Sequence, residues 1–272
     1  MFSAAWLLLV VGYPALVSSG GYAAFLDEGG SEILVMDGTG ETVYTVYADP
    51  GERLSYPNLR GLKLVFISSS AGLVTHDILT GDTEILCEEH TGAPWISSTG
   101  DLWYTLDDSL YRNGLSSGNA VPAFNVSVEG DYASFTDRSD NIHILNIESG
   151  QDRTVQGYRF YSPVVLPDGA VIAPTLTGEI IYLPADGSIN VMGNGEQPCW
   201  SSELGGLFYS VLEDNGDVIT AADIWFVRPG SNPVSVTRTS DVSETRPGCS
   251  AGVLWFIDER TGVPGFMSID DL

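Results

Sequence analysis

A chain of 272 residues with 43% hydrophobic content is long enough to bury a sizeable core, which excludes a disordered polymer as the default. Its 36 acidic residues against 11 basic ones give a formal charge of -25, and Lys63 is the only lysine. A surface that negative repels phosphate backbones and anionic lipid, and the arginines are scattered singly, so nucleic-acid binding and peripheral membrane attachment are not expected.

Thirty-one glycines and fourteen prolines are spread along the chain, which suits many short strands joined by tight turns. No linker or low-complexity tract divides it, so residues 1–272 are expected to form one domain. In chain order, two short apolar segments come first, "AAWLLLV" (4–10) and "PALVSS" (14–19). The second of them opens a unit, "YPALVSSGGYAAFLDEGGSEILVMDGTG" (13–40), whose pattern then returns. Looser copies follow at 56–86, 93–114, 126–155 and 162–192, and closer ones at 197–230 ("QPCWSSELGGLFYSVLEDNGDVITAADIWFVRPG") and 246–270 ("RPGCSAGVLWFIDERTGVPGFMSID").

Each of these seven units has a proline-led short strand, a turn near Ser and Gly, an apolar-rich strand, a polar loop and a further strand. Hairpin sequences such as "TGD", "SGQD" and "ADGS" then lead into a fourth. The second strands begin near Tyr22, Leu62, Asp101, Asp131, Ala170, Leu207 and Val253. That spacing, roughly 30 to 46 residues, is the period of a propeller blade. The expected fold is therefore all-β: a β-propeller of seven four-stranded antiparallel blades, with six as the alternative.

From Tyr22 onward the pattern supplies 26 strands, two short of seven complete blades. Residues 4–10 and 14–19 would provide the outer strand of the last blade and the inner strand of the first, closing the ring and removing its exposed edges. A secretory signal peptide competes for the same segment, but no Lys or Arg precedes its apolar core. The run is also too short to span a bilayer, so no integral membrane span is expected. A cytoplasmic protein is expected with the closing strand, and a secreted or periplasmic one with six blades if residues 1–20 are cleaved.

The proline, aromatic and serine of Pro198-Cys-Trp-Ser201, with "FTDRSDNIHILNIESG" (135–150), "FIDERTGVPGFMSID" (256–270) and the first unit, resemble the repeat of TolB-type, WD-repeat-like β-propellers. The resemblance covers nearly the whole chain. It implies an isolated propeller acting as a binding or scaffold module. The additional domains that accompany propellers in transport proteins and peptidases are therefore not expected, and these 272 residues contain no G-x-S-x-G nucleophile motif.

No catalytic constellation stands out. Cys87, Cys199 and Cys249 form no C-x-x-C pair and read as small buried residues, with Cys199 and Cys249 in matching segments that could bring them together. His76, His90 and His143 each stand alone, without metal-ligand spacing. "EDNGD" (213–217) and "DEGGSE" (27–32) lack the ligand order of a calcium loop and read as solvated turns, so no metal or cofactor is expected. "SSELGGLF" (201–208) superficially resembles a sialidase box, with Glu203 in place of the aspartate, but precedes the wrong strand. Pro198, Trp200 and Ser201 read as punctuation: the proline holds Gln197 extended and starts an inner strand, Trp200 fills the core between blades, and Ser201 helps the turn.

In a propeller, the loops entering the inner strands and those between second and third strands gather on one face around the channel. The residues before the inner-strand prolines, Tyr13, Tyr56, Gln197 and Arg246, are expected at that mouth, with His90, Arg159 and Tyr161 nearby. The expected function is non-catalytic binding of a protein, peptide or small molecule by this ring. A carbohydrate-active hydrolase or lyase using mouth carboxylates is the alternative.

Overall fold

The computed structural model describes residues 15–89, 91–214, 219–239 and 242–269. Every regular element among them is a β-strand, and the strands form seven antiparallel sheets in succession. The first blade comprises β1 (Ala15–Ser19), β2 (Tyr22–Leu26), β3 (Glu32–Asp37) and β4 (Thr42–Tyr47). The second runs β5 (Leu54–Arg60), β6 (Lys63–Ser68), β7 (Gly72–Asp77) and β8 (Thr83–Cys87), and the third β9 (Trp95–Ile96), β10 (Leu102–Leu106), β11 (Ser109–Arg112) and β12 (Leu115–Ala120). The fourth has β13 (Val126–Glu129), β14 (Tyr132–Thr136), β15 (Ile142–Asn146) and β16 (Asp152–Val155); the fifth has β17 (Val164–Val165), β18 (Val171–Pro174), β19 (Glu179–Leu183) and β20 (Asn190–Asn194). In the sixth are β21 (Glu196–Ser201), β22 (Gly206–Asp214), β23 (Ile219–Val227) and β24 (Val234–Ser235). The seventh shows three strands among the described residues: β25 (Glu244–Ser250), β26 (Val253–Asp258) and β27 (Val263–Ser268). The second strands start within one residue of their expected positions.

Burial explains why each strand has its composition. Second strands are sandwiched between neighbouring blades and read as nearly continuous apolar runs: Leu102 to Thr105 and Val171 to Pro174 are buried throughout. Outer strands face solvent on one side, and "LSSGNA" in β12 alternates exposed and half-buried positions accordingly. The core lies in the seams. Leu26, Ile33, Leu64 and Phe66 join the first two blades, while Ile172, Leu207 and Tyr209 join the fifth and sixth. Trp200 packs partly buried in that latter seam, stacked on Tyr182 with ring centroids 5.9 Å apart, and Ser201 Oγ accepts the Leu204 N–H in the following turn.

The ring closes between the seventh blade and the first. Ala23, Phe25 and Met36 share a buried cluster with Trp255 and Ile257, and the Gly21 N–H donates to Ser250 Oγ at 3.2 Å. β1 is the inner strand expected from residues 14–19. The expected closing strand at 4–10 lies outside the described residues. Seven blades form, rather than the six of the alternative reading.

One expectation is corrected. Gln197 is not extended: its φ is 54°, and Tyr56, Ser162 and Arg246 before their own prolines have φ of 51°, 41° and 53°. In three of these inner strands the register slips at the same place, between Ser55 and Asn58, Glu196 and Cys199, and Thr245 and Gly248. Proline cannot donate to the ladder, so the strand accommodates it at a bulge, and the bulge puts the preceding residue in the left-handed region.

Candidate channel-mouth site

The pre-proline bulges lie near the starts of the inner strands, at the end where loops enter from the preceding blade. Gln197 and Arg246 hold equivalent positions in adjacent blades. Gln197 Oε1 accepts the Arg246 backbone N–H at 2.9 Å and the Ser210 hydroxyl at 3.3 Å. The Arg246 guanidinium turns to the loop between β26 and β27, where Nη1 meets Glu259 Oε2 at 2.8 Å; Thr245 Oγ1 donates to the same oxygen at 2.8 Å. With 20% of the Arg246 side chain exposed, this pair is shielded enough to hold its geometry better than a surface ion pair would.

Around that pair the electrostatics are concentrated. Burial pushes the Glu196 carboxyl above its ordinary value; Arg246 opposes the shift and Glu259 adds to it. Burial also pushes the Tyr161 phenol far above the usual range, and the Glu196 charge pushes in the same direction. Tyr161 comes from the loop entering the fifth blade, with its backbone N–H on Pro174 O at 3.1 Å. The structure thus brings three of the expected residues, Tyr161, Gln197 and Arg246, into one neighbourhood spanning the last three blades.

The others are dispersed or absent from it. Tyr56 meets Phe124 edge-on, with ring centroids 4.9 Å apart. Phe124 in turn walls a shallow cleft of about 320 Å³ with Thr91, Asp107 and Asp108. Arg159 is exposed and engaged elsewhere, its Nε and Nη2 both 2.8 Å from Asp140 Oδ2. Tyr13 and His90 lie outside the described residues. Sequence reasoning missed Glu196, Ser210, Glu259 and Phe124. Glu259 could have been found, because the loop between second and third strands shares the mouth face with the inner-strand entry.

Other polar runs have structural occupations. The Asp27 carboxylate accepts the N–H groups of Gly29, Ser31 and Glu32, so "DEGGSE" is a capped turn. His143 Nδ1 contacts Asp152 at 2.6 Å, and its ring stacks on Phe135 within the fourth blade. His76 is buried, with Nδ1 on Thr83 Oγ1 at 2.8 Å, and its pKa is pushed down by burial. Among the described residues no group of three His, Cys, Asp or Glu side chains is arranged to hold a metal ion. The cysteines are half-buried rather than fully buried, and Cys199 and Cys249 do meet.

No family model matches the chain, and no curated protein is matched by its sequence. Solved structures match by shape. A chain of a mitotic checkpoint complex superposes with a TM-score of 0.69 at 12% identity, covering 94% of this chain and 87% of that one. A catalytically inactive virginiamycin B lyase from Staphylococcus aureus, solved with quinupristin, gives 0.67 at 13% identity, over 94% and 95% of the two chains. A β-propeller domain from Myceliophteria thermophila gives 0.64 at 9% identity, over 94% and 96%. At these identities the likeness establishes the seven-bladed β-propeller fold alone. Among the described residues no helix is long and apolar enough to cross a membrane.

Proposed function

We propose that this chain is a non-catalytic binding propeller of the TolB-like repeat type, taking a protein, peptide or small-molecule partner at the channel mouth through Tyr161, Gln197 and Arg246, with Tyr56 on the opposite side. The observation that carries this reading is the recurrence of a left-handed backbone at Tyr56, Gln197 and Arg246. Such a conformation costs about 1–2 kcal/mol per non-glycine residue. It persists where the surroundings over-determine it, and such positions cluster at ligand clamps. A half-buried carboxyl beside an arginine and a phenol adds recognition chemistry of both signs.

The test is affinity capture with the intact protein as bait, compared with a variant carrying alanine at Tyr56, Gln197 and Arg246. A partner retained by the native protein and lost by a folded variant supports the site; equal retention overturns it. The second reading, a carbohydrate-active hydrolase or lyase, is favoured by one observation: Glu196 with a raised pKa in the field of a second carboxylate, Glu259. Turnover of a glycan panel that Glu196→Gln abolishes would establish it over the binding reading. We also propose an intracellular setting, which a native start at Met1 or Phe2 supports and a start near residue 20 overturns.

A further inference from the structure

Cys199 on β21 and Cys249 on β25 stand with their sulfur atoms 3.5 Å apart, although 50 residues separate them in the chain. Matching inner-strand segments of neighbouring blades place them there. The Cys249 thiol also reaches Trp200 O at 3.5 Å, so it is held against β21. A disulfide needs sulfurs about 2.05 Å apart, an approach of about 1.5 Å from this position. Both residues are half-buried.

We infer that Cys199 and Cys249 form a reversible dithiol–disulfide pair, a covalent latch between the inner strands of the sixth and seventh blades. The oxidant class is a small hydroperoxide. The Cys199 thiolate attacks one peroxide oxygen and the O–O bond breaks. Cys199 becomes a sulfenic acid, and the other oxygen leaves as hydroxide and takes up a proton to become water. Cys249 sulfur then attacks the sulfenic sulfur, its thiol proton goes to the departing hydroxide, and a second water is released. Two thiols lose two electrons in all, and hydrogen peroxide is reduced to two waters. The contact holds the Cys199 thiol below its ordinary value, while the same contact and burial push the Cys249 thiol up, so Cys199 is the attacking sulfur in the proposed step.

The latch sits two residues beyond Gln197 and three beyond Arg246, so oxidation would fix the spacing of the strands that carry them. The inference stands apart from the binding reading, because it concerns only the two thiols. Cys87, on β8 in the second blade, is the internal control.

The test treats the reduced full-length protein with hydrogen peroxide, then counts thiols after denaturation and maps tryptic peptides. Cleavage after Arg238 separates the two cysteines, so a linked peptide pair identifies their bond. The expected result is a fall from three free thiols to one, restored by dithiothreitol, with Cys87 still free. In Cys249→Ser, Cys199 should be trapped as a sulfenic acid by dimedone. Failure of that variant to fold leaves the mapping of the native protein decisive. Sulfinic or sulfonic acid at either cysteine without a linked peptide, or a bond only between two molecules, overturns the inference.

Discussion

The side-chain oxygen of Gln197 accepts the backbone N–H of Arg246 at 2.9 Å, so the amide of one blade satisfies the bulge of the next. Both residues have left-handed backbones, and the bond ties the two distortions together. Ser210 Oγ, 3.2 Å from the same N–H, completes the arrangement.

Gln197→Ala removes that acceptor and is expected to destabilise the protein by about 1–2 kcal/mol, since the Arg246 N–H keeps only Ser210. Urea denaturation followed by tryptophan fluorescence measures it. No change in the midpoint would mean that solvent replaces the amide and the bulge is held by the proline alone.

Ala251 occupies a two-residue hairpin turn between β25 and β26 with φ of 51°, followed by Gly252 at 75°. The corresponding first turn position is Gly20, Gly61 or Gly130 in other blades, each with positive φ. An alanine there is strained, whereas an Asn-Gly pair suits this turn. Ala251→Asn is therefore expected to stabilise by about 0.5–1 kcal/mol, read as a rise in the thermal midpoint.

Gly248 on β25 packs against β1 where the ring closes. A Cβ there would overlap Leu16 Cδ2 and stand 3.1 Å from Ser18 Oγ. Gly248→Ala should cost about 1–3 kcal/mol through overpacking. The cost should shrink in a Leu16→Ala background, which a double-mutant cycle measures. Additive effects would disconnect the two residues.

The carboxylates predict two opposed limbs of pH dependence. Asp101, bonded to Arg112, Thr99 and Asn113, and Asp137, bonded to Asn141 and backbone N–H groups, are each lowered from 3.8 to about 2. A depressed folded pKa gives stability that is complete above the unfolded value and is lost as pH falls from 3.8 through about 2. Glu244 behaves oppositely: it is 2% exposed, Oε2 has no hydrogen-bond partner among the described residues, and burial raises its pKa. Its folded form holds the proton more tightly, so stability declines as pH rises above the ordinary 4.5. Glu244→Gln should gain on the native protein across that rise. Denaturant midpoints measured across the pH range check both limbs, and a constant difference between variant and native protein would remove Glu244 as the source.

The repeat was legible because its signals are local. Each second strand needs a continuous apolar run to fill two seams, and each hairpin needs glycine or a polar turn residue, so both recur at the blade period. That suffices for seven blades, for the 26 strands from Tyr22 onward, and for Trp200 as a seam filler. The order of loops around a ring also grouped Tyr161, Gln197 and Arg246, which the fold brings into one neighbourhood.

What only the tertiary structure decided is how residues from different blades meet. A proline restricts the residue before it toward extended backbone, yet pairing with β22 before and after the proline turned that constraint into a bulge with φ of 54° at Gln197. Glu196 and Glu259, 63 positions apart, influence each other because a short loop and an inner strand converge on Arg246. The same seam sets Cys199 against Cys249. Local pattern determines strands and turns, because it acts through backbone preference and burial along a few residues. The register between blades depends on packing across the whole ring, which no stretch of sequence carries alone.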